Sequence, residues 1–305
     1  MAIPIRAIAH VNLNCSEITT SKSFFERTFG LRALIHTDPG PQDCTSFGLD
    51  EPGQWDAWMM HDGQEDGTPV DLLEWKLPKP CGTPHREPGH VGLRRLGFST
   101  GDLAACRERA LAAGAAGAFE CVDLELPGGE RRRGFGLRDP DGVDIVVREG
   151  VADRMDHVQI GCRGLTRSVR FYEEVLGLAA VARHSALEAP GAPFGRESPV
   201  AWSATLLRRA EAQETGFGIA LMQWQHPAPH FPAYDRANHR GLYRMAFLVD
   251  DIASCHDELA HHGVPGLTPP VELDLGPSCP APTCHALFFH DPDGTCLELI
   301  EAPGS

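Results

Sequence analysis

The sequence has no surplus of positive charge, no apolar run of membrane-spanning length and no leader-like start. Its 27 Lys and Arg against 42 Asp and Glu leave a formal charge of −15. Nucleic acids and anionic membrane surfaces are bound through basic patches, so neither is expected as a partner. No stretch approaches the roughly 20 apolar residues that cross a bilayer. Met1 to His10 lacks the basic start and cleavage site of a secretory signal and reads as the lead-in to a first strand. A cytoplasmic location is expected. Cysteine is plentiful, at ten residues, but a framework for it is missing. Cys15 and Cys162, and Cys106 and Cys255, fall at matched points of a repeat, where buried free thiols are expected rather than disulfides. Cys279 and Cys284 are the one close pair, without the second pair that a zinc site needs.

What the chain does have is itself, twice. His10-Val11-Asn12-Leu13-Asn14-Cys15, running through Phe24-Phe25-Glu26 to Gly30-Leu31, returns 147 residues later as His157-Val158-Gln159-Ile160-Gly161-Cys162, Phe171-Tyr172-Glu173 and Gly177-Leu178. Gly92 to Phe98 matches Gly241 to Phe247, and Asp139-Pro140-Asp141-Gly142 matches Asp291-Pro292-Asp293-Gly294. A repeat of this length is a duplicated domain rather than a solenoid, whose units run ~20–50 residues. The expected domains are 1–150 and 151–305, each long enough to bury a core.

Each half divides again. Helical spacing over Ser21–Phe29 stops at Gly30, and over Thr166–Leu176 at Gly177. Strand-type runs follow at Trp55–His61 and Val70–Trp75, with counterparts at Ala201–Leu207 and Ile219–Trp224. Strands are expected again at Leu96–Thr100 and Met245–Val249, then helices at Leu103–Ala113 and Ile252–His262. The final strands flank the Asp-Pro-Asp-Gly turns. The result is an α+β chain of four β-α-β-β-β units. His36–Gln54, Ser185–Pro199 and His226–Gly241 are its longest irregular stretches.

With His10-Val11 and His157-Val158 on opening strands, the Phe-Glu helix ending in Gly-Leu, Phe247-Leu248-Val249-Asp250-Asp251, and Asp291 to Leu299, the chain resembles the vicinal oxygen chelate superfamily. That group includes glyoxalase I, extradiol dioxygenases and bleomycin-binding proteins. The resemblance covers nearly the whole chain. It implies two glyoxalase-like domains with curved mixed sheets, each hollow holding a divalent metal on up to four positions. A metal with few protein ligands keeps open sites, where a substrate with adjacent oxygens can chelate. Fold does not fix function here, because the group holds lyases, oxygenases, epimerases and proteins that only bind.

Carried onto this sequence, the first position is His10 and His157, the second Asp71 and Ala220, the third Arg95 and Arg244, and the fourth Val146 and Glu298. If each half forms its own site, neither has more than two metal-capable groups. If units exchange across halves, one hollow collects His10, Asp71, Arg244 and Glu298, and the other His157, Ala220, Arg95 and Val146. The exchanged arrangement is expected, with Fe, Mn, Ni or Zn on His10, Asp71 and Glu298, and His157 as the alternative ligand. Arg244 cannot ligate a metal. It either captures a substrate carboxylate or phenolate, or pairs with Asp71 and Glu298 in place of the cation.

Further candidates are Glu298 as a general base and His290 as an acid/base. His36 and Arg183, at equivalent repeat positions, and Trp224 are candidates for substrate contact. Glu74 has the opposite strand parity to Asp71, so only one of them faces a given side. His226 and His230, in a Pro-rich loop, are expected to be solvent-exposed. Ring-cleaving dioxygenases use two His and a Glu in the C-terminal half, and the second His is Arg244 here. The expected function is a metal-dependent enzyme of lyase/isomerase or dioxygenase type acting on a small oxygenated, aromatic or anionic metabolite. The alternative is a metal-free protein that sequesters such a molecule. A homodimer is compatible with either.

Overall fold

The computed structural model describes residues 1–64, 66–119, 121–125, 131–191, 196–211, 216–229 and 231–301. The first unit is β1 (Ala7–Asn14), α1 (Ile18–Phe29), β2 (Arg32–Thr37), β3 (Gln54–His61) and β4 (Val70–Leu77). The second is β5 (Gly92–Thr100), α2 (Leu103–Ala112), the short β6 (Gly117–Ala118) and β7 (Val122–Glu125), β8 (Arg131–Arg138) and β9 (Asp144–Glu149). The third is β10 (Arg154–Gly161), α3 (Leu165–Glu174), β11 (Leu178–Ala189), β12 (Val200–Arg209) and β13 (Gly218–His226). The fourth is β14 (Gly241–Val249), α4 (Ile252–His262), β15 (Val271–Asp274), β16 (Thr283–His290) and β17 (Cys296–Glu301).

Helix ends follow local chemistry. α1 begins before the expected Ser21 because the Glu17 carboxylate accepts hydrogen bonds from the Thr19 and Thr20 N–H groups. Asp102 and Asp251 cap α2 and α4 in the same way. α3 follows Gly164, which has no capping side chain. Gln223, on β13, instead accepts from the Leu165 N–H at 2.9 Å. Glu74 of β4 does the same for Ile18 of α1 at 3.1 Å. Gly30 and Gly263 end their helices in the left-handed conformation that suits glycine. β11 runs to Ala189, into a stretch expected to be loop.

The units exchange between halves. One sheet has the order β15-β16-β17-β14-β1-β4-β3-β2, joining the first and fourth units; the other, β11-β12-β13-β10-β5-β9-β8-β6, joins the second and third. The seams are antiparallel, β1 against β14 and β10 against β5, and each carries two register shifts. Neither half of the sequence builds a sheet alone. Alternate residues such as Val11, Leu13, Phe247, Leu297 and Leu299 pack with the helices into one large core.

The opposite face of each sheet is the one expected to form a hollow, and it is lined by Trp55, Trp75 and Phe288 in the first sheet and by Trp202, Met222 and Trp224 in the second. In the first sheet the hollow is closed by the 38–53 segment. A 3₁₀ turn, Thr45–Phe47, drives Phe47 against Phe288, Trp55 and Trp75. Asp38 bonds to Leu275 and Ser278, and Gln42 to Asp274, tying this first-unit segment to the fourth unit. Among the described residues no helix is long and apolar enough to cross a membrane, and all ten cysteines are free.

Candidate active site

Strand alternation builds the first hollow. Val11 and Leu13 point into the main core, so His10, Asn12 and Asn14 face the hollow. Parallel pairing sets Asp71 of β4 beside Asn12. On the other side His10 lies opposite Ala246, and Ala246 opposite Glu298. Between Val11 and Leu13, two residues of β14 face one of β1, the count of a β-bulge, which brings Arg244 opposite Asn12. His10, Asp71, Arg244 and Glu298 thus come from four strands, two in the first unit and two in the fourth, and all are buried.

Arg244 holds the group together. Its Nε donates to Glu298 Oε2 at 2.8 Å and its Nη2 to Asp71 Oδ2 at 3.1 Å. Asn12 donates to the same Asp71 oxygen at 3.1 Å. His10 Nε2 stands 3.4 Å from Glu298 Oε2 and 3.8 Å from Asp71 Oδ2. Burial by itself would push the Glu298 pKa up, but Arg244 and His10 outweigh it and hold the carboxyl below its usual range. Burial likewise disfavours the Arg244 charge, and the two carboxylates more than compensate. The Phe47 ring lies 5.5 Å from the guanidinium carbon. Four buried polar atoms here make no hydrogen bond: His10 Nε2, Asn12 Oδ1, Asp71 Oδ1 and Arg244 Nη1.

The donor types suit a divalent metal, but their arrangement does not. The Asp71 and Glu298 oxygens nearest His10 are the ones Arg244 engages. A metal ion among them would face a permanent cation at hydrogen-bond distance from its own ligands. Among the described residues, no group of three or more His, Cys, Asp or Glu is arranged to hold a metal ion.

The second hollow has the same plan with different residues. Ala220 and Val146 replace the two carboxylates, yet Arg95 is also paired: Asp144, two residues before Val146, lies 3.6 Å from it and also binds Arg94 at 2.6 Å. His157 Nδ1 is 2.6 Å from Asp156 Oδ1, and its Nε2 is 3.2 Å from the Gln159 amide nitrogen. Burial lowers the His157 pKa despite that carboxylate. Gly97, opposite His157, makes room for the ring; a Cβ there would lie 1.9 Å from it.

The other expected residues lie elsewhere. His36 is on the helix-facing side, its Nε2 2.9 Å from Asp56 and its ring stacked on Trp58. Arg183 occupies the matching place in the third unit, exposed and paired with Glu173. Parity puts neither in a hollow. Trp224 packs on Trp202 in the second hollow rather than the first. His290 sits at the end of β16 against Gly266, and among the described residues no hydrogen bond or ion pair joins its ring to the quartet. Glu74 faces α1. His226 is exposed, and His230 lies outside the described residues. Asn12 and Phe47 were not singled out from the sequence. Asn12 carries a signal, a polar residue two places from His10 in an apolar strand; Phe47 carries none.

The family model of the Glyoxalase/Bleomycin resistance protein/Dioxygenase superfamily matches residues 7–147 and again 154–299. Glyoxalase I from Zea mays is similar in structure, with a TM-score of 0.65 at 15% identity over 97% of this chain and 92% of that one. A putative dioxygenase from Bacillus subtilis aligns with a TM-score of 0.62 at 15% identity over 100% and 87%. No curated protein sequence matches the chain. At these identities the structural likeness speaks to fold alone.

Proposed function

The chain belongs to the Glyoxalase/Bleomycin resistance protein/Dioxygenase superfamily, and on that premise we propose that it acts on a small oxygenated anion, with the Arg244 guanidinium standing where relatives of this fold place a cation. The observation that carries this reading is the simultaneous pairing of Arg244 with Asp71 and Glu298. The expected Fe, Mn, Ni or Zn on His10, Asp71 and Glu298 is not part of the proposal, because a metal there would require a buried guanidinium to leave both partners; nor is His157 as a ligand, since its Nδ1 is engaged by Asp156 and Ala220 and Val146 offer no donor beside it.

In this reading Arg244 Nη1 is the donor available to a carboxylate or phenolate oxygen. Glu298, held ionised by Arg244, is a weak base and serves to aim the guanidinium. His10 Nε2 is the group placed to take or return a proton, which suits an isomerase- or lyase-type step. Phe47 and its segment close the hollow, so ligand entry requires them to move aside. The ten free thiols support a reducing, cytoplasmic setting.

The test is calorimetric titration with aliphatic and aromatic 2-hydroxy and 2-oxo carboxylates. Wild type is expected to bind some of these without added metal, and Arg244→Lys, which keeps charge but not the planar fork, to lose at least tenfold in affinity. Equal binding by Arg244→Lys, or binding only with added metal, would reject the proposal.

A further inference from the structure

The two halves differ at one point on the helix-facing side of their sheets, and the difference leaves a pocket. In the first unit Trp58 lies between α1 and the sheet. His36, its cross-strand partner, stacks on the indole at 4.2 Å with the planes 8° apart, and the Lys22 ammonium of α1 lies 3.9 Å from the ring centroid on an indole face. The register of the third unit is the same, with Arg183 opposite Thr205 as His36 is opposite Trp58. There a threonine replaces the indole, Arg183 replaces the imidazole and Val169 replaces Lys22. In place of the ring is a pocket of about 560 Å³, bounded by Val169 and Glu173 of α3, by Arg183, and by Ser203, Thr205 and Gln223. Pockets of roughly 300–1,000 Å³ are of ligand size.

The floor changes charge in the same comparison. Asp56 and Glu74, side by side in the first unit, become Ser203 and Gln223, which are paired in the same register. Lys76, which pairs with both of those carboxylates, becomes Gln225, so two carboxylates are lost together with the Lys76 and Lys22 ammonium groups, and the one charge gained at the wall is the Arg183 guanidinium. Arg183 is 61% exposed and, among the described residues, held by one 3.2 Å contact to Glu173, so it is able to swing over a ring as His36 does over Trp58. Guanidinium groups stack on aromatic faces and pair with carboxylates.

We infer that this pocket between α3 and β11–β13 binds a small planar aromatic acid, its ring in the place that Trp58 fills in the first unit. The site is separate from both hollows and does not depend on the quartet reading.

The experiment is two-dimensional NMR of the whole chain titrated with indole-3-acetate, indole and tryptamine. Indole-3-acetate is expected to bind most tightly and tryptamine most weakly, with shifts centred on Val169, Arg183, Thr205 and the Gln223 side chain. Thr205→Trp rebuilds the filled arrangement and is expected to weaken indole-3-acetate at least tenfold. Arg183→Ala, at an exposed position that leaves folding intact, is expected to weaken it at least threefold. Tryptamine binding as tightly as the acid, shifts centred on Trp202 and Trp224, unchanged affinity in Arg183→Ala, or no binding of the acid at millimolar concentration would each overturn the inference.

Discussion

At the scale of single residues, the most consequential feature is an arginine at the third position of both hollows. Arg244 draws its neutralising charge from Asp71 and Glu298, whereas Arg95 draws it from Asp144. The carboxylates have different places in the sheet, but each buried guanidinium has one. Removing a partner from such a pair leaves an uncompensated buried charge, at a cost of about 3–5 kcal/mol. Arg244→Met is therefore expected to lower stability by about that much, measured by urea unfolding, and Arg183→Met on the surface by under ~0.5 kcal/mol. Similar small losses in both would mean that the quartet is not a tightly coupled unit. Much of this group was legible in the sequence, because the repeat gave each candidate a twin for comparison. Val146 against Glu298 and Ala220 against Asp71 showed which hollow kept its charged groups. That His36 and Arg183 lie outside the hollows was not legible, because matching repeat positions say nothing about which face of a strand a side chain takes; register and parity decide that.

At the scale of elements, the two Asp-Pro-Asp-Gly turns behave alike. Asp139 Oδ1 accepts from the Val143 N–H at 2.8 Å, and Asp291 Oδ1 accepts from Thr295 at 2.8 Å. Burial pushes the Asp139 carboxyl up from 3.8 to about 7, and the Asp291 carboxyl up to about 6. A carboxyl raised in the folded state holds its proton where the unfolded chain has lost it. The stabilisation is complete below about pH 4 and is lost as pH rises toward 7. Asp139→Asn keeps the acceptor and removes the titration, so it is expected to flatten the fall in urea midpoint between pH 5 and 8. An unaltered pH profile would contradict the assignment. Strands, helices and turns were largely readable from periodicity and from Gly30 and Gly263. The 38–53 segment was not. Its packing depends on Phe47 meeting Phe288 from the far end of the chain, and no local pattern encodes that contact. Truncating Phe47 to alanine is expected to cost about 3–5 kcal/mol and to speed amide exchange in β3 and β4; protection left unchanged would mean that the segment does not close the hollow.

At the scale of the whole molecule, each sheet takes one unit from each half. The boundary near residue 150 divides the sequence without dividing the sheets. Residues 1–150 made alone would leave the β1 and β5 seams unpaired, so that fragment is expected to be unfolded or to self-associate. Mixing it with 151–305 is expected to restore the native circular dichroism spectrum and the mass of one complex. A folded monomer of 1–150 would contradict the exchanged pairing.

The decisive property of this molecule is whether a guanidinium has taken the place of a metal. Elemental analysis of the purified protein, equilibrated with Mn²⁺, Fe²⁺, Ni²⁺ or Zn²⁺ and then desalted, measures this directly, with Arg244→His restoring an imidazole at the third position. Less than a tenth of an equivalent is expected in wild type, and close to one equivalent in Arg244→His. One equivalent in wild type, abolished by Glu298→Ala, would show that the cation site is intact and that Arg244 has another task.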